Sequence, residues 1–124
     1  MARMWSGELP RSLQFIIDFN NTSIGRIAVG PLYDRGKIDA EAGYALLEVY
    51  SGQGIMSRAA SCLMDLLRYL VDTGVYDLKR IRATAKPGNT ASNKILIKNN
   101  FTKSADMVDD GYSPENEYFY YFGK

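Results

Sequence analysis

Apolar and polar residues recur at a spacing of two near the start of this chain, and at a spacing of three to four in its middle. Leu13 to Phe19 reads LQFIIDF, rich in the Phe and Ile that suit a strand. The turn signal Asn20-Asn21-Thr22 follows. Then, from Ser23 to Val29, Ile24, Arg26 and Ala28 alternate against Gly25, Ile27 and Val29. The two segments predict a β-hairpin. Gly30 to Asp39 carries two glycines, a proline and four charges, which is loop chemistry. Ala40 to Val49 predicts a third strand, in which Gly43 marks a bulge or a close backbone approach.

The period then changes. From about Gly54 to Val71, Ile55, Ala59, Leu63, Leu66, Leu67 and Leu70 share one helical face, with Ser57, Arg58, Ser61, Asp65, Arg68 and Asp72 largely off it. Gly74 closes this helix. Leu78 to Ala85 alternates again as a strand, and Pro87-Gly88 breaks it. Asn89 is a good N-cap for a short helix to about Lys98, which Asn99-Asn100 can end. Two tail segments, FTKSADMV and EYFYYFG, read as strands around the polar loop DDGYSPEN. Residues 1–12 form a loose lead-in. The order β-β-β-α-β-α-β-β predicts an α/β (α+β) domain with a mixed sheet.

Candidate chemistry sits where the third strand meets the long helix, in EVYSGQGIM (Glu48 to Met56). Gly52 and Gly54 permit a tight turn, and the first helical N–H groups have no partners within the helix. The helix dipole adds roughly half a positive charge at that end. A phosphate or pyrophosphate is the expected guest; the same turn also serves simply to join strand to helix. A Walker loop is excluded, because Ile55 and Met56 stand where lysine and Ser/Thr are needed. The three-glycine dinucleotide fingerprint is incomplete.

Composition narrows the chemistry. The 124 residues suit one domain, and the net charge of +1 gives no field for nucleic acid or a membrane surface. No apolar run nears the roughly 18 residues of a bilayer span, and MARMWSGELPRS lacks the apolar centre of a signal peptide. Cys62 is the single cysteine, which fits a reducing, cytoplasmic setting. The chain has no histidine, so a histidine-based triad and a histidine-ligated zinc site are excluded.

A second stretch, KPGNTASNKILIKNNF, gives the first its meaning. Glu41, Gly43 and Tyr44 lie on the third strand, Gly52 and Gly54 in the turn, and Pro87, Asn89, Ser92 and Phe101 around the second helix. In this order and spacing, over about residues 14 to 103, the chain resembles the GNAT acetyltransferase superfamily. The branch most similar is that of the ribosomal-protein N-terminal acetyltransferases. The resemblance implies a GNAT-like mixed sheet with a central strand, glycine turn and helix. It also implies acetyl-CoA as co-substrate and an amine acceptor attacked in a ternary complex. Ala45 to Val49, including Leu46 and Leu47, would pair by backbone with the pantetheine arm. Ser51, Gly52, Gln53, Gly54, Ile55, Met56 and Ser57 would hold the pyrophosphate. Asn89 would reach the pantetheine side or a water near the thioester. A backbone N–H near Leu46 or Leu47 would meet the oxyanion. Ser92 is the candidate acid for the leaving thiolate and Glu41 the candidate base, though Glu41 also reads as a surface carboxylate at a strand end.

Several positions depart from the family pattern. Leu96 stands where many members carry a tyrosine acid, Asn100 where glycine is usual, and Ser51 where Gln or Arg is usual. Met56 replaces a small residue: its side chain either crowds the phosphates or turns into the core. Only about a dozen residues precede the first matched strand, so an acceptor wall that relatives build there is short. A homodimer would complete it, or the module binds CoA without catalysis. Tyr118, Tyr120 and Tyr121 read as packing residues, Lys79, Arg80 and Arg82 as solvated, and Cys62 as a small hydrophobe.

Overall fold

The computed structural model describes residues 10–32, 39–109 and 114–122. Six strands and two helices follow in the expected order: β1 (Leu13–Phe19), β2 (Thr22–Gly30), β3 (Asp39–Leu46), α1 (Ile55–Asp72), β4 (Arg80–Ala85), α2 (Thr90–Lys98), β5 (Thr102–Asp109) and β6 (Pro114–Tyr121). The lead-in up to residue 9 and most of the Gly30–Asp39 loop lie outside the described residues. The strands form one sheet in the order β1-β2-β3-β4-β6-β5. All neighbours are antiparallel except β3 and β4, which are parallel and joined through α1.

The hairpin closes on two asparagines. Asn20 and Asn21 take φ of 51° and 65°, the left-handed region that asparagine tolerates best after glycine. Asn100 does the same (φ 70°) just past α2. Both helices pack on one face of the sheet, where a single core joins Ile27, Val29, Ala40, Ile81, Ala83 and Tyr118 to Met56, Leu63, Leu67 and Leu96. Each fully buried aliphatic side chain there contributes roughly 1.5–3 kcal/mol. Among the described residues the other face carries Gln14, Arg26, Glu41, Gly43 and Ala45, all exposed.

Four expectations change. The buried stripe of α1 is Met56, Ala60, Leu63, Met64 and Leu67, about one position on from the expected face, and Leu66 is 36% exposed. Small Ala60 and flexible Met64 are weak hydrophobic signals beside leucine, although i, i+4, i+7, i+8 spacing fits them. Cys62 consequently falls on the exposed side. Third, β3 stops at Leu46 and gives way to a single 3-10 turn, Glu48–Tyr50; β6, by contrast, begins earlier than expected, at Pro114. Fourth, Gly43 marks no bulge: it pairs in register with Ala28, and a β-carbon there would meet nothing within 4 Å.

Candidate functional site

The parallel pair β3 and β4 holds together for only three residues, Asp39 to Glu41 against Arg80 to Arg82. Beyond that point the strands part. From Ala42 to Leu46, β3 stays bonded to β2, and from Ala83 to Ala85, β4 stays bonded to β6. Each therefore turns an unpaired edge toward the other. The gap opens into a cleft of about 1500 Å³, floored by Ala42 to Leu46 and bounded by the glycine turn, the start of α1, Ala83 to Lys86 and the first turns of α2.

Strand alternation decides which backbone groups face this cleft. The Leu47 N–H is taken by the Ile24 carbonyl of β2 at 2.8 Å. Successive N–H groups of a strand point to opposite edges, so those of Leu46, Tyr44 and Ala42 point away from β2 and into the gap. Of the two residues expected to supply an oxyanion donor, Leu46 turns its N–H into the gap, whereas the Leu47 N–H is bonded to β2.

The glycine turn answers to backbone conformation. Gly52 and Gly54 have φ of 79° and 81°, and a β-carbon on either would touch nothing within 4 Å. They are needed for the left-handed turn, not to avoid a neighbour. Gly54 is the N-cap of α1, no side chain caps this end, and the first turn carries no acid. Arg58 N–H makes the first helical bond, to Gly54 O (3.1 Å). The N–H groups ahead of it, from Ile55 to Ser57, are thus presented at the cleft with the positive end of the dipole. Ser51 Oγ turns back to the Glu48 carbonyl (2.7 Å). Met56 is 5% exposed and lies in the core, so its side chain leaves the mouth clear.

The start of α2 is built differently. Asn89 Oδ1 accepts from the Ser92 N–H (3.1 Å), a side-chain cap. Asn93 ties three elements together. Its Nδ2 donates to the Lys86 and Asn89 carbonyls (2.9 and 2.7 Å), while its Oδ1 accepts from Asn116 Nδ2 (3.0 Å) and Tyr118 Oη (2.5 Å) on β6. From across the gap, Tyr44 Oη lies 2.7 Å from Ser92 Oγ. Burial raises the Tyr44 phenol above its ordinary pKa; the Ser92 bond lowers it and Tyr118 raises it further. Tyr118 is raised by burial too.

Glu41, Ser51, Gly52, Gly54, Ile55, Met56, Asn89 and Ser92 all line the cleft together with Leu46, whereas Leu47, Gln53 and Val49 do not. Val49 sits in the 3-10 turn at 76% exposure, because β3 ends before it. Glu41 faces the open side of the sheet, where Arg82 Nη1 holds its Oε2 at 2.9 Å and Arg82 Nε holds Glu117 at 2.6 Å. Arg82 is therefore not simply solvated, and Arg80 stacks over Phe119 at 4.2 Å. Two features of the site are not singled out by the sequence pattern: Tyr44, which lines the cleft and enters the sequence only in the match with Glu41 and Gly43, and Asn93, which stands behind the cleft. The cluster Asn89, Thr90, Ser92, Asn93 was the available signal, since such side chains in a first turn bond to backbone. Among the described residues no cluster of acids or thiols could hold a metal ion, and no helix is long and apolar enough to cross a membrane.

Comparison with known proteins bears on the fold and the family. The family model described as acetyltransferase (GNAT) domain matches residues 1–102. The ribosomal-protein-serine acetyltransferase of Escherichia coli (strain K12) is 31% identical over 109 residues, covering 84% of this chain and 58% of that protein. The crystal structure of a ribosomal-protein alanine acetyltransferase from Vibrio fischeri superposes with a TM-score of 0.74 at 23% identity, over 90% of this chain and 62% of the other. A ribosomal alpha-N-protein acetyltransferase in complex with coenzyme A gives a TM-score of 0.69 at 25% identity, over 96% and 65%. The chain spans less than two thirds of the length of each of these three relatives.

Proposed function

Because the chain belongs to the GNAT acetyltransferase domain family, we propose that it binds acetyl-CoA in the β3–β4 cleft and transfers the acetyl group to a primary amine. One observation carries this reading. The two parallel strands separate after three pairs, and the gap runs to a helix end that the protein leaves uncapped. A peptide-like arm with a pyrophosphate at one end fits that shape. The amides of the pantetheine arm add to the free edge of β3 as a further strand would. The pyrophosphate meets the N–H groups of Ile55, Met56 and Ser57. The relative solved with coenzyme A supports the same ligand.

The acetyl carbonyl then lies toward Leu46, whose N–H points into the gap and stabilises the oxyanion as the amine attacks. The amine nitrogen bonds to the carbonyl carbon, the C–S bond breaks with its electron pair on sulfur, and the amine loses a proton. Glu41 stands on the open face of the sheet, with Arg82 holding one of its oxygens; as the base it takes that proton through intervening water. Ser92 faces the leaving sulfur from α2. The likeness to a ribosomal-protein-serine acetyltransferase and to a ribosomal alpha-N-protein acetyltransferase supports a protein N-terminus as acceptor, with small amines as the other class to test.

The test is thermal unfolding with and without ligand. Acetyl-CoA at about 100 times its dissociation constant adds roughly 2.7 kcal/mol, a shift on the order of 10 °C for a domain of this size. No shift with acetyl-CoA or CoA overturns the reading. A shift without thiol release across N-terminal peptides and small amines leaves only the binding half, that of a CoA module without catalysis.

A further inference from the structure

Ser92 is held at two points. Its N–H is fixed by Asn89 Oδ1 (3.1 Å), and its hydroxyl lies 2.7 Å from Tyr44 Oη. The same phenol oxygen is 3.4 Å from the Ser92 carbonyl, too long to compete. Tyr44 comes from β3 and Ser92 from α2, so this contact bridges the two walls of the cleft by side-chain hydroxyls, and both residues line it.

We infer that Tyr44 is a positioning residue for Ser92: its phenol donates to Ser92 Oγ and so turns the serine proton into the cleft, toward the leaving sulfur. This rests on the function proposed above. Either hydroxyl can be the donor on distance alone. Chemistry favours the phenol, which is the stronger acid of the two, while the aliphatic serine oxygen is the better acceptor. A serine hydroxyl that accepts one strong bond becomes a better donor through its own proton. It is far too weak an acid to protonate a CoA thiolate outright. Its role is therefore to donate a hydrogen bond to sulfur as the C–S bond breaks, while the thiolate collects its proton from solvent. This device takes the place of the tyrosine acid that Leu96, buried in the core, cannot supply.

The consequence is measurable without any acceptor. A donor aimed at sulfur stabilises the thiolate, so the thiol of bound CoA should ionise at lower pH than the free thiol. The full chain is titrated with CoA and with desulfo-CoA by calorimetry, and the bound thiol is followed by its ultraviolet thiolate absorbance. Wild type should prefer CoA over desulfo-CoA by about five-fold, the ratio expected of one hydrogen bond. Tyr44→Phe and Ser92→Ala should each remove most of that preference and raise the pH at which the bound thiol ionises. The double variant should add nothing further, and Ser92→Thr should restore both readouts. Glu41, Lys86, Lys94, Lys98 and Glu115 are the other titratable groups that line the cleft; neither variant alters them. If Tyr44→Phe leaves both readouts at wild-type values, the inference is overturned. If that variant does not fold, an unchanged Ser92→Ala overturns it by breaking the same pair from the other side. Failure of wild type to bind CoA at all overturns the proposed function and takes this inference with it, whereas binding with no thiol preference overturns the inference alone.

Discussion

Helix α1 begins at a glycine with no side chain to cap it, whereas α2 begins at an asparagine whose own oxygen takes the Ser92 N–H. Behind the α2 mouth, Asn93 adds four hydrogen bonds to the loop and to β6. Behind the α1 mouth, among the described residues, the buried residues of the first turns are the apolar Met56 and Ala60. A helix start leaves several N–H groups without partners, and these must be met by something. At α2 the protein meets them itself, which fixes Ser92 and Tyr44 in place. At α1 it does not, so the groups stay available for an anion. One mouth is built to position and the other to receive.

The largest expected effect tests whether the receiving mouth is held from behind. Met56→Ala should destabilise the free protein by about 4 kcal/mol, since it empties a buried core site. Chemical denaturation measures this. Affinity for CoA, measured where the variant is folded, should not improve. A gain in affinity would mean that the methionine had obstructed the phosphates after all.

Asn93→Ala attacks the other mouth and should cost about 3 kcal/mol. It leaves the buried Asn116 amide and the Tyr118 hydroxyl without their acceptor. The loss should show as a lower melting temperature and as faster amide exchange in the first turn of α2, with the first turn of α1 unaffected. Equal loosening of both mouths would erase the distinction between them.

Much of this contrast was open to a reader of the sequence, and the missing part has physical causes. The hairpin, the helix ends and the order of elements follow from local signals: Asn20-Asn21, Gly54, Asn89 and Asn100 each act on their own backbone. The glycine turn and the Asn89 to Ser92 spacing likewise brought Leu46, Gly54 and Asn89 to one cleft. Where β3 ends was not legible, because Leu47 and Val49 have strand-forming side chains and only the tertiary course of the chain turns them outward. Nor was the stripe of α1, where two residues of ambiguous preference, Met56 and Met64, decide the face. The pairings Tyr44 with Ser92 and Asn93 with Tyr118 join residues 48 and 25 positions apart. No periodicity reports such contacts.

Charge at the receiving mouth should matter more than shape. Gly54→Asp puts a carboxylate where the phosphates are expected. The left-handed φ of 81° costs roughly 1 kcal/mol for a side chain, and the favourable cap and dipole terms offset most of that. Free-protein stability should therefore change little. CoA affinity should fall by about 30-fold, on the order of 2 kcal/mol, with Gly54→Ala as the control for backbone strain alone. Equal affinity in the Asp and Ala variants would show that no anion sits there.

Removing the cap at the positioning mouth should be milder. Asn89→Ala is expected to cost about 1 kcal/mol, while Asn89→Asp keeps the acceptor oxygen and most of the stability. If the Asp variant is stable yet binds CoA several-fold more weakly, the amide group of Asn89 also serves the ligand. If it binds as wild type does, the residue acts only as a cap.

The smallest effect separates the two mouths by pH. Burial raises the phenols of Tyr44 and Tyr118 above their ordinary value near 10. In this direction the folded state holds its protons longer than the unfolded chain does. The stabilising contribution is complete below the unfolded phenol value and is lost as pH rises from there through the folded values. Both phenols, from β3 and β6, bond to α2: one donates to Asn93, the other sits against Ser92. None of the bonds found at the α1 mouth involves a phenol. Stability should fall by a fraction of a kcal/mol to about 1 kcal/mol across this alkaline limb, and Tyr118→Phe should flatten it. As the phenolate forms it can no longer donate to Asn93 Oδ1, so amide exchange in the first turn of α2 should rise beyond its ordinary increase with pH. That of α1 should follow the ordinary increase only. Matching profiles at both helix starts would mean that the phenols do not hold α2 in place, and the contrast between a positioning and a receiving mouth would then rest on Asn89 alone.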